Sequence, residues 1–338
     1  MKFNQSKSFF SKFLFFINII VGFLIGVCYF FNNFYSDFVS DYAIISVFFP
    51  IIFIINFLFF IYWLIRFDLR LIYSLFFIVL FTNNSVFIIK SKKKEESKYS
   101  FHLMSYNVRL FNHYNWLKTD SIPENISNYI KINQPDILTL QEYHNDYKKL
   151  FNHYPEKYFG LNGENVGLAI FSKKKFLNKG ALEDENGRLL AIYIDFIEKE
   201  DTLRVYNLHL KSYNLDILKL KADKKSLKEI LNKTGNAYKI QNNEIDLFIK
   251  HVKTSPYQNL ISVDLNNTPY TYVYKKINKN FKDSFVEKGS GFGSTYGFGL
   301  IPIRIDYLFV SPSINVDYFK THDINLSDHK PISVFLNI

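Results

Sequence analysis

The sequence is poor in cysteine, because its 338 residues include only Cys28. A single thiol cannot close an intramolecular disulfide, and it cannot build a cysteine metal site. No clustering of histidine with cysteine indicates a zinc site. The chain also lacks internal repeats, and its only low-complexity tract is a short lysine run. Disulfide scaffolds, zinc-thiolate modules and repeat arrays are therefore not indicated.

Charge is missing from three apolar runs near the N-terminus, at 13–31, 42–65 and 71–89. A bilayer core of about 30 Å needs roughly 20 helical residues. The first run is too long for a signal peptide core and further runs follow it, so we interpret it as a retained helix. The third run carries the polar segment 82–85, and an interfacial or re-entrant helix is its alternative. Residues 1–90 are thus predicted to form a transmembrane region of about three helices.

The distribution of basic residues predicts how this region is oriented. Three lysines precede the first run, the loop 32–41 has no Lys or Arg, and Arg66 and Arg70 follow the second run. The positive-inside rule then predicts a multi-pass protein of the cytoplasmic membrane with its N-terminus inside. With three spans, the rest of the chain lies on the extracytoplasmic side. The lysines at 92–94 favour the opposite side, and two spans would leave the domain cytoplasmic.

The remaining chain has the composition of an ordinary soluble domain. Residues 91–99 are charged and predict a solvated linker. This leaves 100–338 as one domain, which is long enough to bury a sizeable core and is the candidate catalytic domain. The formal charge of +10 is shared evenly, since residues 1–100 hold 10 Lys+Arg against 5 Asp+Glu and the rest hold 31 against 26. This surplus fits compositional drift, and it also fits attraction to nucleic acid or to an anionic lipid surface. Charge alone does not separate the two.

Short apolar strands alternate with helical stretches after residue 100. A helix is predicted at 123–133, and 215–252 is predicted to be mostly helical with a break around Gly235. Such alternation indicates a layered α/β or α+β domain. The predicted strands lie at 101–108, 136–140, 167–172, 189–196, 203–210, 259–263, 303–310 and 331–336.

Polar side chains recur where these strands end. Each has an ordinary alternative when taken alone, such as a turn residue after a strand or a hydrogen-bonded core histidine. A carboxylate inside an apolar strand is harder to dismiss, because burying it unpaired costs several kcal/mol, and Asp306 therefore needs a partner. Strand alternation predicts that Glu142 shares a face with Leu138 and Leu140. Together these residues favour a site: Asn107, Glu142, His209, Asp264, Asn266, Asp306, Asp328 and His329.

In these segments the sequence resembles the endonuclease/exonuclease/phosphatase superfamily, whose members are DNase I-like enzymes. The resemblance covers nearly all of 100–338 and departs where the family usually has glycine and this chain has Val263. It implies a four-layered α/β sandwich, with two central sheets face to face and helices outside. The matching segments are SYNVRLF (105–111), LTLQEY (138–143), NLHLKS (207–212), ISVDLNNTP (261–269), GFGSTYGFG (291–299), IRIDYLFVS (303–311) and LSDHKPI (326–332).

The resemblance also implies roles for these residues. Glu142, helped by Asn107 and Asp328, is expected to bind a divalent metal. A carboxylate-rich site suits Mg²⁺, with Mn²⁺ as an alternative. The expected role of Asp264 is to activate or orient the attacking water.

The other expected roles concern the phosphate. Asn266 is expected to hydrogen-bond near Asp264, and His209 to contact the phosphate from the opposite wall. His329 is expected to donate to a phosphate oxygen while Asp306 holds it protonated. Which of Asp264 and His329 is the base, and which the stabiliser, stays open.

The function predicted on these grounds is Mg²⁺-dependent hydrolysis of a phosphodiester or phosphomonoester, first of all of the nuclease type. A lipid-headgroup or inositol-phosphate phosphoesterase is the enzymatic alternative. The non-enzymatic alternative is an inactive, membrane-anchored binding module, which would lack at least one expected site residue. A transporter is disfavoured because none of the apolar runs carries a central acid or base. No protein partner is indicated.

Overall fold

The computed structural model describes residues 9–82, 100–213, 224–298 and 301–338. The predicted linker at 91–99 and the end of the third apolar run lie outside the described residues. The N-terminal region contains α1 (Phe9–Asn33), α2 (Asp37–Tyr42), a 3₁₀ helix (Ala43–Phe48), α3 (Phe49–Ile65) and α4 (Leu71–Thr82).

Two helical stretches in this region, Phe9–Asn33 and Asp37–Ile65, are long and apolar enough to cross a membrane. Length and composition alone also fit a signal sequence or a buried core helix. The second stretch begins before the predicted residue 42, because Ser36 caps α2 by accepting a hydrogen bond from the Val39 amide at 3.2 Å. Pro50 stands in the first turn of α3, where its missing N–H costs nothing.

A polar cluster joins α1, α3 and α4 within their apolar surroundings. The Trp63 indole and the Ser74 hydroxyl each donate to Oδ1 of Asn18 at 3.0 Å, and the Asn18 amide donates to Asn56 at 3.3 Å. Hydrogen bonds between helices of this kind hold bundles together in lipid, where burial supplies no driving force.

Residues beyond 100 form a sandwich of two six-stranded sheets. The first has the order β13-β14-β1-β2-β4-β3 and the second β5-β6-β7-β8-β12-β9, while β10 and β11 pair separately. Strands β1–β14 cover Phe101–Asn107, Ile137–His144, Glu156–Asn162, Val166–Ser172, Phe176–Glu183, Leu189–Glu198, Asp201–His209, Gln258–Asp264, Lys282–Asp283, Tyr296–Phe298, Ile301–Ile303, Asp306–Val310, Asn315–Thr321 and Ile332–Asn337.

Three apolar cores separate four layers. One core fills the space between the sheets, and two lie between each sheet and its outer helices. The outer helices are α5 (Ile122–Asn133) on the first sheet, with α6 (Lys224–Val252) and α7 (Tyr272–Asn278) on the second; α8 (Ser284–Lys288) is a short turn of helix. Strands β3, β5 and β13 were not predicted, because each is partly exposed and lacks a continuous apolar run.

The predicted helix break at Gly235 is wrong, since α6 runs through it without interruption. The glycine instead permits close approach of α2. A Cβ added there would lie 2.8 Å from the Asp41 carboxylate and 2.9 Å from its Cα. Helix propensity argues for a break at glycine, and here tertiary packing overrides it.

The N-terminal helices dock onto the second outer layer of the sandwich. Lys239 of α6 pairs with Asp41 at 3.3 Å, and Lys275 of α7 donates to Asn33. The Tyr35 ring stacks on Tyr238, with centroids 6.4 Å apart. The sandwich therefore packs against the segment that joins α1 to α3.

Candidate active site

The strand register brings the predicted polar residues to one edge of the two sheets. Strand β7 runs parallel to β8, so that His209 lies beside Asp264, and β12 pairs antiparallel with β8, so that Asp306 faces Asp264. In the other sheet β1 runs parallel to β2, and Asn107 ends β1. Parallel strands end at the same edge, which is why residues far apart in sequence meet here.

Three buried groups form the base of the site. His329 Nδ1 lies 2.9 Å from Asp306 Oδ2, and His329 Nε2 lies 3.9 Å from Asp264 Oδ2. The main chain of Asp306 is fixed by Thr295, whose hydroxyl accepts the Asp306 N–H at 3.1 Å. Asp306 thus has the partner that burial of its charge requires.

The surroundings of these groups shift their protonation. Burial alone would lower the pKa of His329, but attraction to Asp306 and Asp264 outweighs it and raises this pKa to about 10. Burial, followed by repulsion from Asp306, raises the pKa of Asp264. At neutral pH the cluster accordingly holds an imidazolium between two carboxyl groups.

Asn107 connects this base to the acidic rim. Its amide nitrogen donates to Asp264 Oδ2 at 2.9 Å and to Glu142 Oε1 at 3.4 Å. Asp328 and Glu142 line the same pocket, together with His329 and Asn266. The hydroxyl of Ser327 binds both the Asn107 carbonyl, at 2.9 Å, and Asp328.

Glu142 reaches this rim through a bulge that the strand pattern does not reveal. The register of β2 shifts between Leu140 and Tyr143, and Glu142 has a φ of +47°. Regular alternation would place its side chain with Leu138 and Leu140, which pack in the outer core. The bulge redirects the carboxylate toward Asn107, a use of bulges that is common beside active sites.

Two predicted residues border the pocket from the second sheet. The Asn266 side chain lines the pocket and donates to the Leu210 carbonyl at 3.1 Å. His209 lies at its side, with Nε2 3.6 Å from Asp264 Oδ2. All eight residues predicted from the sequence are thus brought to one edge of the sandwich.

Sequence reasoning missed Arg109. Its guanidinium lies 3.2 Å from Asp328 Oδ2 and 4.5 Å from the centre of the Trp116 ring. The backbone from Arg109 to Asn112 has positive φ throughout, a conformation that L-residues rarely adopt. Asn112 is the one residue type in this stretch that favours positive φ, and the preceding Arg109, Leu110 and Phe111 give no such signal.

The donor set fits a hard divalent cation. Within the described part of the chain, the four carboxyl groups of Glu142, Asp264, Asp306 and Asp328 outnumber the two cations that pair with them, Arg109 and protonated His329. Nε2 of His209 is buried and has no hydrogen-bond partner among the described residues. A buried polar atom without a partner, beside excess negative charge, marks a place for a further polar species. Carboxylate and amide oxygens suit Mg²⁺ or Mn²⁺.

The described residues contain two clusters whose ligand atoms lie within 4.8 Å of one another. One is Asp264, Asp306 and His329. The other is His113, His144 and Asp146, in which the two imidazoles stack with centroids 4.2 Å apart. The predicted ligands Asn107, Glu142 and Asp328 adjoin the first cluster.

Solved structures with the same fold match the region after the linker. An endonuclease/exonuclease/phosphatase from Bacteroides vulgatus aligns with 70% of this chain and 98% of its own, at 18% identity and a TM-score of 0.55. A mannosyl-6-phosphatase from Bacteroides thetaiotaomicron aligns with 70% of this chain and 100% of its own, at 19% identity and a TM-score of 0.54. A humanized TDP2 from D. rerio aligns over 70% and 99%, at 15% identity and a TM-score of 0.55.

The N-terminal region matches a family model as well. Residues 11–86 fit a domain of unknown function, DUF8431. No curated protein matches the chain.

Proposed function

Because residues 100–338 have the DNase I-like fold of endonuclease/exonuclease/phosphatase proteins, we propose that this chain is a metal-dependent phosphoesterase. The observation that carries the proposal is the pocket in which Glu142, Asn266, Asp328 and His329 meet above the buried Asp264. The pocket has a volume of about 200 Å³, which is room for a phosphate group and a few waters.

Glu142 is the proposed direct ligand of Mg²⁺ or Mn²⁺, with Asn107 and Asp328 beside it. A bound divalent cation supplies Lewis acidity and neutralises charge on phosphate oxygens. Asn107 would present its amide oxygen to the cation only if the amide turned over. Oxygen and nitrogen of an amide are assigned from their neighbours, so either orientation suits this network.

The protein's own groups have separate tasks in the proposed reaction. His329, held as an imidazolium by Asp306, donates a hydrogen bond to a phosphate oxygen as negative charge develops there. Asp264, whose pKa is raised by burial and by repulsion from Asp306, accepts a proton from the attacking water. This division assigns the base to Asp264 and the stabilising donor to His329, a choice that the sequence leaves open. His209 and Asn266 position the phosphate from the second sheet.

The test is Mg²⁺-dependent hydrolysis of bis(4-nitrophenyl) phosphate by the full chain in detergent. Glu142→Ala, Asp264→Ala and His329→Ala are each expected to lower kcat by about 10² to 10⁴, because each removes a group that acts in the transition state. EDTA should abolish turnover and added Mg²⁺ should restore it. Glu200→Ala is the matched control, because it removes an exposed carboxylate from the β6–β7 turn, at the opposite end of β7 from His209. Wild-type rates in any of the three variants would refute the assignment.

An inactive binding module is the competing proposal. It predicts that at least one expected site residue is replaced, whereas all eight are present. The nuclease-type substrate stays a prediction from the sequence, to be tested with plasmid DNA and RNA beside sphingomyelin and inositol phosphates. The pocket lining favours a different substrate class.

We further propose that the catalytic domain lies outside the cytoplasmic membrane. It packs against α2 and the 3₁₀ helix, which lie between α1 and α3. The loop at 32–41 has no Lys or Arg, whereas Arg66 and Arg70 lie at the other end of α3. The positive-inside rule places the first of these ends outside.

A further inference from the structure

One wall of the candidate pocket comes from the N-terminal region. Val47 of the 3₁₀ helix lines the same pocket as Glu142 and His329. It is 4% exposed, and with Ile44 it packs against Ile303 and Ile305 of the sandwich. The pocket therefore has an acidic side made by strand ends and an apolar side shared with the predicted membrane region.

The 3₁₀ helix has a second apolar face. Residues three apart eclipse one another in such a helix, so Ile44 and Val47 share the face toward the sandwich. Ile45 turns elsewhere and, with Tyr42, lines a groove of about 580 Å³. Residues of α1 together with Phe38 and Phe77 complete the groove, and none of the described residues that line it is charged. Ile45 and Val47 are two residues apart, so the groove and the pocket flank one short element.

We propose that the substrate is a lipid phosphate ester, whose phosphate enters the pocket while its apolar chain lies in the groove beside Ile45. This inference rests on the proposed phosphoesterase function. Hydrolysis consumes one water: its oxygen forms a new bond to phosphorus, the P–O ester bond breaks, and the proton that the water loses is balanced by the proton that the leaving oxygen gains as the alcohol departs, so no further reactant is needed. A soluble ester would make no use of the groove.

The charge of the pocket also favours a lipid over nucleic acid. Proteins that hold a polynucleotide neutralise several phosphates with Lys or Arg. No Lys or Arg is among the described residues that line this pocket, whereas Val47, Ile303 and Ile305 are. Arg109, which lies near the pocket, is paired with Asp328, and the imidazolium of His329 is paired with Asp306. The lining thus offers one phosphate subsite next to apolar surface, and no track for a phosphate backbone.

The test compares two chromogenic diesters that differ only in one chain, 4-nitrophenyl hexadecyl phosphate and 4-nitrophenyl ethyl phosphate. The full chain is assayed with Mg²⁺ in detergent micelles. Each buried methylene contributes about fourfold in affinity, so even partial burial predicts a kcat/KM about 100-fold higher for the hexadecyl ester. Equal kcat/KM values, or faster cleavage of plasmid DNA than of either ester, would overturn the proposal.

Groove variants separate chain binding from partition of the ester into micelles. Ile45→Trp fills the groove and is expected to lower the ratio of hexadecyl to ethyl turnover by about tenfold, the value of one to two buried methylenes. Gly26→Leu fills it from α1, where a Cβ would meet only the Phe77 ring, at 3.6 Å, and serves if Ile45→Trp fails to fold. Leu58→Trp is the matched control, since it adds the same indole to an exposed part of α3 outside the groove.

The outcomes distinguish the two proposals. Absence of Mg²⁺-dependent turnover of every phosphate ester would refute the phosphoesterase function itself, and the lipid inference with it. Turnover with an unchanged ratio in both groove variants would refute the lipid inference alone. A reduced ratio in the groove variants, with the control unchanged, supports it.

Discussion

At the scale of single residues, the site depends on pairing of buried charge. Asp306 is 3% exposed and Asp264 1%, and each would be costly to keep ionised without a neighbouring cation. His329 is that cation for both. The need of Asp306 for a partner follows from the sequence alone, because its carboxylate interrupts an apolar strand. The identity of the partner does not follow, since strand order and register decide which of eight histidines lies within reach.

Asp306→Asn tests this pairing. An asparagine keeps the shape and loses the charge that holds His329 protonated, so the pKa of His329 should fall and kcat should drop by about 10² to 10⁴. Histidine NMR titration measures the first effect, and hydrolysis of bis(4-nitrophenyl) phosphate measures the second. The control Asp323→Asn removes an exposed carboxylate and should change neither. A normal kcat in Asp306→Asn would show that His329 does not depend on this contact.

At the scale of elements, strand ends and bulges decide what the sequence reveals. Apolar strands with a polar terminal residue were predictable from the pattern, as was a layered α/β or α+β domain, whereas the sandwich of two facing sheets was implied by the family resemblance. The bulge at Glu142 and the left-handed turn after Asn107 were not, because no glycine or proline announces them. Half-exposed strands such as β5 and β13 escape pattern reading for a different reason: hydrogen bonds to a neighbouring strand stabilise them more than their own apolar content.

Buried hydrogen bonds also join elements away from the site. His102 of β1 and His322, which follows β13, both contact the Ser333 hydroxyl of β14, at 2.9 and 2.8 Å. Burial, with a smaller repulsion between the two rings, lowers the pKa of His102 to about 3. Burial also lowers the pKa of His322 to about 4. Both imidazoles are therefore neutral in the folded protein at pH values where an unfolded chain is protonated.

This difference predicts acid sensitivity of the first sheet. Below the ordinary histidine pKa of about 6.5, His102 and His322 bind protons in the unfolded chain but not in the folded chain. The free energy of unfolding therefore falls by up to about 1.4 kcal/mol per pH unit for each histidine. The loss begins below a pH of about 6.5 and continues to about pH 4 for His322 and to about pH 3 for His102, and stability is fully present above that window. Unfolding in urea at a series of pH values measures the slope. His322→Gln should flatten it, whereas His113→Gln, at an exposed position, should leave it unchanged.

At the scale of the whole molecule, the N-terminal helices and the sandwich form a joined structure. The apolar runs and the charged linker predicted two separable parts, residues 1–90 and residues 100–338. The contacts of Tyr35, Asp41 and Val47 with the sandwich could not be foreseen, because they depend on where α6 lies relative to α2. In the proposed membrane arrangement, those contacts have a consequence for topology: the sandwich lies on the same side of the membrane as the segment between α1 and α3.

Cysteine labelling tests that consequence. Because Cys28 is the only native cysteine, one substitution removes all background labelling. In a Cys28→Ser background, Glu164→Cys places a thiol on the sandwich and Arg66→Cys places one at the opposite end of α3, both at exposed positions. A membrane-impermeant maleimide applied to intact cells should label Glu164→Cys and not Arg66→Cys, because in the proposed orientation the Lys- and Arg-free end of the bundle faces outward. Permeabilised cells, in which both thiols should react, provide the control. Labelling of Arg66→Cys alone in intact cells would place the sandwich in the cytoplasm, and its lipid substrate would then have to come from the inner leaflet.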